Sequence, residues 1–158
     1  METLRIFDSL KSLPMGTRLF SSIVCFKAPY FGTISPKITV LQPSFAQAQV
    51  RKNRKVCNHL GTIHAIAMCN LAELVGGLMT DVSIPQSKRW IPKGMTVQYV
   101  KKAKTDIFAV ADGKGIKWDT DGEVVVPVTI KDVHDTTVFT AKITMQISTK
   151  QNKKTDIS

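Results

Sequence analysis

The sequence predicts an α+β fold in which an antiparallel sheet wraps around one long buried helix. A helix drawn over residues 62–80 is apolar almost all round, through Ile63, Ile66, Met68, Leu71, Leu74, Val75, Leu78 and Met79. Helices without a polar face are buried ones. Four strand-like runs follow it, at 95–103, 107–111, 123–130 and 137–148, punctuated by Gly113, Gly115, Gly122 and Asp135. Spacings this short favour antiparallel hairpins. One further run, 38–50, precedes the helix with Pro43 inside it, and reads as a single strand bulged or broken at the proline. Five strands around one helix leave an exposed edge, and a twofold dimer that continues the sheet would cover it.

The other elements fall in order around this centre. Leu4, Phe7 and Leu10, then Leu19, Ile23 and Phe26, recur at three- and four-residue spacings on either side of Leu13-Pro14-Met15-Gly16. That pattern predicts two short amphipathic helices. Residues 53–60 are polar and loop-like, residues 83–92 read as turns, and the polar tail from Lys150 is expected to fray. The chain thus divides into an N-terminal helical segment (1–30), a sheet-and-helix domain (31–149) and a polar tail (150–158). At 158 residues and 43% hydrophobic it is about one domain's worth, enough to fill a single core.

Composition narrows the function. The uncharged stretch 56–72 contains two histidines and two asparagines and falls short of a bilayer span, which needs about 20 apolar residues, so no membrane span is expected. Glu2 and Asp8 interrupt the N-terminus, which reads as mature chain, although its Arg and Lys content leaves a targeting role open. Cys25, Cys57 and Cys69 make an odd number with no disulfide framework, which fits a reducing compartment and a cytoplasmic location. The net charge of +10 comes in runs, at 51–55, 101–104 and 150–154, that attract nucleic acid, anionic lipid or a phosphorylated cofactor. No stacking strip or recognition-helix pattern accompanies them, so nucleic acid is not expected as a partner.

Between Lys55 and Asp81 the only formally charged side chain is Glu73. A carboxylate in an apolar helix needs a reason, because burying one costs several kcal/mol. Glu73 is therefore either a buried salt-bridge partner or a base or nucleophile tuned by its apolar setting. Just upstream, Asn58, His59, Gly61, Thr62 and His64 stand at the start of the same helix. Helix N-termini offer free N–H groups to oxygen and anionic ligands, and Thr62 is the expected N-cap. Nine residues separate His64 from Glu73, about 13 Å and two and a half turns, so the two side chains point to opposite faces. If they serve one reaction, they meet only across a twofold axis, giving two identical sites per dimer. Cys57, His59, His64 and Cys69 match no zinc spacing, and no metal is expected. No G-x-S-x-G elbow, Walker loop or G-x-G-x-x-G occurs in the sequence.

The run 58–73 resembles hotdog-fold thioesterases of the phenylacetate-pathway type. Their signature, N-x-x-G-x-x-H-G with a later acidic residue on the helix, falls on Asn58, Gly61, His64, Ala65 and Glu73. Residues 28–34, 89–95 and 99–103 resemble a less-characterised branch of the same superfamily, so the likeness covers about 20–148. It implies that Glu73 activates water or attacks a thioester carbonyl and that the N–H of Ala65, after the histidine, polarises the carbonyl oxygen. It implies further that Asn58 helps hold the water, within a site shared across a homodimer, with pairing into a tetramer left open. Ala65 stands where the family has glycine, and a helper serine or threonine of some relatives falls near Pro92. The substrate so implied is an acyl-CoA or acyl-carrier thioester, with coenzyme A as part of the substrate and no separate cofactor. Gly61, Ala65, Lys101 and Lys102 are the candidate substrate-binding residues, the two lysines for phosphates. Lys101, Lys102 and Lys104 are expected to alternate faces on a strand. Two other readings stand beside hydrolysis: a non-catalytic hotdog module that binds acyl-CoA or fatty acid, and a hotdog dehydratase, which the absence of an H-F-P segment disfavours.

Overall fold

The computed structural model describes residues 2–151. Two helices, α1 (Glu2–Lys11) and α2 (Gly16–Lys27), lead through a 3-10 turn (Pro29–Ile34) into a hairpin of β1 (Lys37–Gln42) and β2 (Phe45–Val50). A second 3-10 turn (Arg54–Val56) precedes the long helix α3 (Ala65–Ser83), and β3 (Lys88–Tyr99), β4 (Ile107–Asp112), β5 (Gly122–Asp132) and β6 (Thr137–Thr149) follow. The strands form one antiparallel sheet in the order β1-β2-β4-β5-β6-β3, which leaves β1 and β3 at its edges. The expected helix wrapped by a sheet is present: Leu71, Ala72, Leu74, Val75 and Met79 of α3 are buried against Ile38, Ala48, Ala109, Val126 and Ile143 of the strands. By length and hydropathy α3 could cross a bilayer, but most of it is buried inside this domain.

Three expectations change. Residues 38–50 are two strands, because Pro43 and Ser44 make a hairpin turn with Gln42 paired to Phe45. Pro43 takes a turn position suited to its fixed φ, and Ser44 adopts φ 61°. The turn is fastened by Ser44 N–H to Ser83 Oγ (2.8 Å) and by Trp118 Nε1–H to Ser44 Oγ (2.8 Å). The sheet therefore has six strands. The run expected at 95–103 starts earlier and ends earlier, at Lys88 and Tyr99, so Lys101, Lys102 and Lys104 lie beyond the strand and are all exposed rather than alternating. Lys150, where the tail was expected to fray, donates through its N–H to Ser87 O (2.8 Å) and through Nζ to Gln86 O (2.8 Å), while 152–158 lie outside the described residues.

The helical segment belongs to the same core, since Phe7 and Phe20 stack edge to face at 5.0 Å and are buried with the sheet residues. Two glycines let α3 sit close to the strands. A Cβ at Gly77 would meet Trp90 Cη2 at 2.9 Å, and one at Gly76 would meet Ile143 Cδ1 at 2.9 Å. Gly77→Val is expected to destabilise the domain by about 3 kcal/mol, near the upper end for an overpacked core, because the Trp90 ring cannot swing aside as an aliphatic tip can. A denaturant midpoint equal to wild type would contradict this.

Candidate active site

One asparagine builds the turn that launches α3. Asn58 Oδ1 accepts from the N–H of Leu60 (3.0 Å) and of Thr62 (3.2 Å), and one Nδ2–H donates to Thr62 Oγ1 (3.0 Å). The backbone closes the same loop, with Asn58 N–H to Thr62 O at 2.8 Å and Gly61 N–H to Asn58 O at 3.0 Å. Gly61 sits at φ 70°, where any side chain is strained. Ile63 N–H donates to Ala103 O (2.9 Å), which ties the turn to the segment that carries Lys101 and Lys102.

The expected cap is corrected. Thr62 is engaged by Asn58 two residues too early, and the N-cap is His64, whose Nδ1 accepts from Ile66 N–H at 3.1 Å. An accepting Nδ1 holds no proton, so the exposed ring carries its proton on Nε2. His64 O takes the N–H of Ala67 (3.0 Å). The N–H of Ala65, at the first helical position, lies outside the helix ladder and is available to a ligand. Ala65 lines a cavity of about 310 Å³ with Asn58, Thr62, Met68, Tyr99, Lys101 and Lys102. Asn58 also lines a neighbouring hollow of about 620 Å³ with Lys52, Arg54, His59 and Gly61. The structure thus brings Asn58, Gly61, Ala65, Lys101 and Lys102 to one place.

Glu73 is elsewhere. It lines a separate cleft of about 260 Å³ beside Pro92, Lys93, Gly94 and Met95. It is exposed, not buried: α3 turns one stripe away from the sheet, and Ile66, Cys69 and Glu73 occupy that stripe. The apolar character of Ile66 hid this stripe in the sequence. Among the described residues Glu73 makes no salt bridge of the expected kind, and the Lys93 ammonium in the same cleft is bonded to Glu123.

One lining residue, Tyr99, escaped the sequence reading as a site residue. Tyr99 ends β3, and its hydroxyl lies 3.5 Å from Cys69 Sγ. That hydrogen bond, aided by burial and by the charge of the thiolate form, raises the Tyr99 phenol above its ordinary pKa. Met68 forms part of the floor, whereas Gly76 and Gly77 face the strands. Strand register around 99–101 would have been needed to find Tyr99. Among the described residues no group of three or more His, Cys, Asp or Glu side chains gathers as a metal site.

A family model described as a domain of unknown function, DUF4442, matches residues 16–147. The chain belongs to the DUF4442 family. A crystal structure known as genomics APC5556 shares 44% identity with this DUF4442 chain, covers 95% of it and 100% of itself, and superposes with a TM-score of 0.87. PA5026 from Pseudomonas aeruginosa, described as a protein of unknown function and probable thioesterase, is 20% identical over 87% of this chain and 97% of its own, at a TM-score of 0.74. Thioesterase HI1161 from Haemophilus influenzae is 12% identical over 79% of this chain and 86% of its own, at 0.70. At such identities these two show the fold, which is the hotdog fold. No curated protein matches the chain by sequence.

Proposed function

We propose that this DUF4442 chain hydrolyses acyl-CoA thioesters at a site shared between two subunits. The observation that carries the reading is that two incomplete half-sites flank the same edge strand. The cavity with Ala65 and Asn58 reaches Tyr99 at the end of β3, and the cleft with Glu73 reaches Pro92 to Met95 in its middle. β3 has a free edge and exposes Ile91 and Tyr99. Antiparallel pairing of two β3 edges about a twofold axis carries the end of one strand past the middle of the other, so each Glu73 approaches the other chain's helix start. The same contact would cover the Ile66–Cys69–Glu73 stripe and supply the apolar setting that Glu73 lacks in a single chain. Two neighbours of the same fold carry the name thioesterase.

In this mechanism the Glu73 carboxylate takes a proton from water as the water oxygen bonds to the thioester carbon. The carbonyl oxygen becomes an oxyanion held by the Ala65 N–H. The second amide N–H of Asn58 holds the water or the carboxylate. His64 is a positioning residue, because its cap on Ile66 N–H fixes the first turn. Collapse breaks the C–S bond, the proton passes from Glu73 to the leaving sulfur, and a carboxylic acid and free coenzyme A depart. Lys101 and Lys102 face the coenzyme A phosphates. The test is thiol release from acyl-CoAs of increasing chain length. At least one chain length is expected to reach a kcat/KM of about 10⁴ M⁻¹s⁻¹, the lower range of ordinary enzymes. Stoichiometric acyl-CoA binding without thiol release would make the chain a carrier or sensor instead.

A further inference from the structure

Helix α2 wears its apolar residues on the wrong side for a domain surface. Its buried side holds Gly16, Phe20 and Ser21. Roughly opposite them, at spacings of four and seven residues along the helix, stand Met15 (67% exposed), Leu19 (52%) and Phe26 (88%), followed by Tyr30 (67%) in the next turn. The outward side of α1, by contrast, is polar: Glu2, Arg5, Asp8 and Ser9. A group of exposed large apolar side chains on one side of a small domain marks something it docks to.

Charge says what the occupant is. Residues 9–72 contain eight lysines and arginines and no aspartate or glutamate, so this stretch alone carries +8 of the formal +10. Phe26 borders an open groove of about 650 Å³ that Arg18, Lys37 and Arg51 also line. A groove with three cations beside an apolar helix stripe combines the two attractions that seat an interfacial helix, apolar insertion and anionic headgroups. We propose that α2 and this groove form a peripheral docking surface for an anionic lipid bilayer, with Met15, Leu19 and Phe26 entering the acyl boundary and Arg18, Lys37 and Arg51 receiving lipid phosphates. This rests on the α2 face and the groove beside it and does not depend on thioester hydrolysis. It does place the Lys52–Arg54 hollow near the membrane, since Asn53 lines both that hollow and the groove.

Flotation with vesicles of two parts phosphatidylcholine to one part phosphatidylserine tests it, with pure phosphatidylcholine vesicles as the comparison. The full chain is expected to float with the anionic vesicles and to be released as salt rises. Arg18→Gln with Arg51→Gln should weaken partitioning roughly fivefold for each cation removed. Leu19→Asn with Phe26→Asn should weaken it at least as far while leaving the far-ultraviolet circular dichroism unchanged, because both side chains are already in solvent. Failure of the wild-type chain to bind anionic vesicles, or equal binding by the asparagine variant, would overturn the proposal. So would a drop in oligomeric state of that variant by light scattering, which would make the stripe a contact between copies. If the glutamine variant instead raised KM for a soluble thioester without any vesicle, the groove would belong to the substrate and not to lipid.

Discussion

Glu73→Gln is expected to lower thioester hydrolysis on the order of 10²-fold or more, since the amide keeps the shape of the carboxylate but can neither take a proton nor attack. The stability measurement that accompanies it separates catalysis from architecture. Glu73 is exposed in the single chain and the cleft lysine is bonded to Glu123, so no cation is stranded by the change. Thermal unfolding should shift within about 0.5 kcal/mol of wild type, or upward where dimerisation had covered the charge. A loss of about 3 to 5 kcal/mol would instead show a structural ion pair whose partner was left unpaired.

Ala65→Pro is expected to be as damaging to turnover and nearly silent in folding. Proline suits the first position of a helix, where its missing N–H breaks no helical bond. The residue before a proline must be extended, and His64 already sits at φ −64° and ψ 140°. The substitution therefore deletes one donor, the N–H assigned to the oxyanion, and little else. Loss of a single such donor lowers kcat about 10²- to 10³-fold. Full activity in a folded Ala65→Pro protein would remove that N–H from the mechanism.

These expectations use parts of the molecule that differ in how openly the sequence shows them. The buried helix was legible because apolar residues fill nearly every position of 62–80, and a segment like that has one place to go. The hairpin at Pro43 was not, because proline inside a β-rich run signals a bulge and a turn equally well, and what decides is the fastening of Ser44 by Ser83 and Trp118, far away in sequence. Grouping Asn58, Gly61 and Ala65 needed only local spacing. Their lysines needed the Ile63–Ala103 hydrogen bond, and Tyr99 needed the register of β3 on β6. Glu73 shows the limit most clearly. An all-apolar helix hides which stripe faces outward, so the sequence could single out the carboxylate but not show that one chain leaves it exposed. The helical spacing counted from His64 does not carry over, because His64 is the extended N-cap and stands outside the helix that holds Glu73.

Sharing of the site between chains is the claim on which the rest depends, and mixing inactive subunits tests it most directly. Glu73→Gln and Ala65→Pro chains are each expected to be inactive alone. After subunit exchange, a mixed dimer holds one site with both defects and one with neither. With equal amounts and random pairing, half the dimers are mixed and each has one intact site of two, so activity per chain should recover to about one quarter of wild type. Exchange can be followed independently with a donor dye on one variant and an acceptor on the other. If energy transfer shows that the chains have exchanged and the mixture remains inactive, Glu73 and Ala65 do not meet across the dimer.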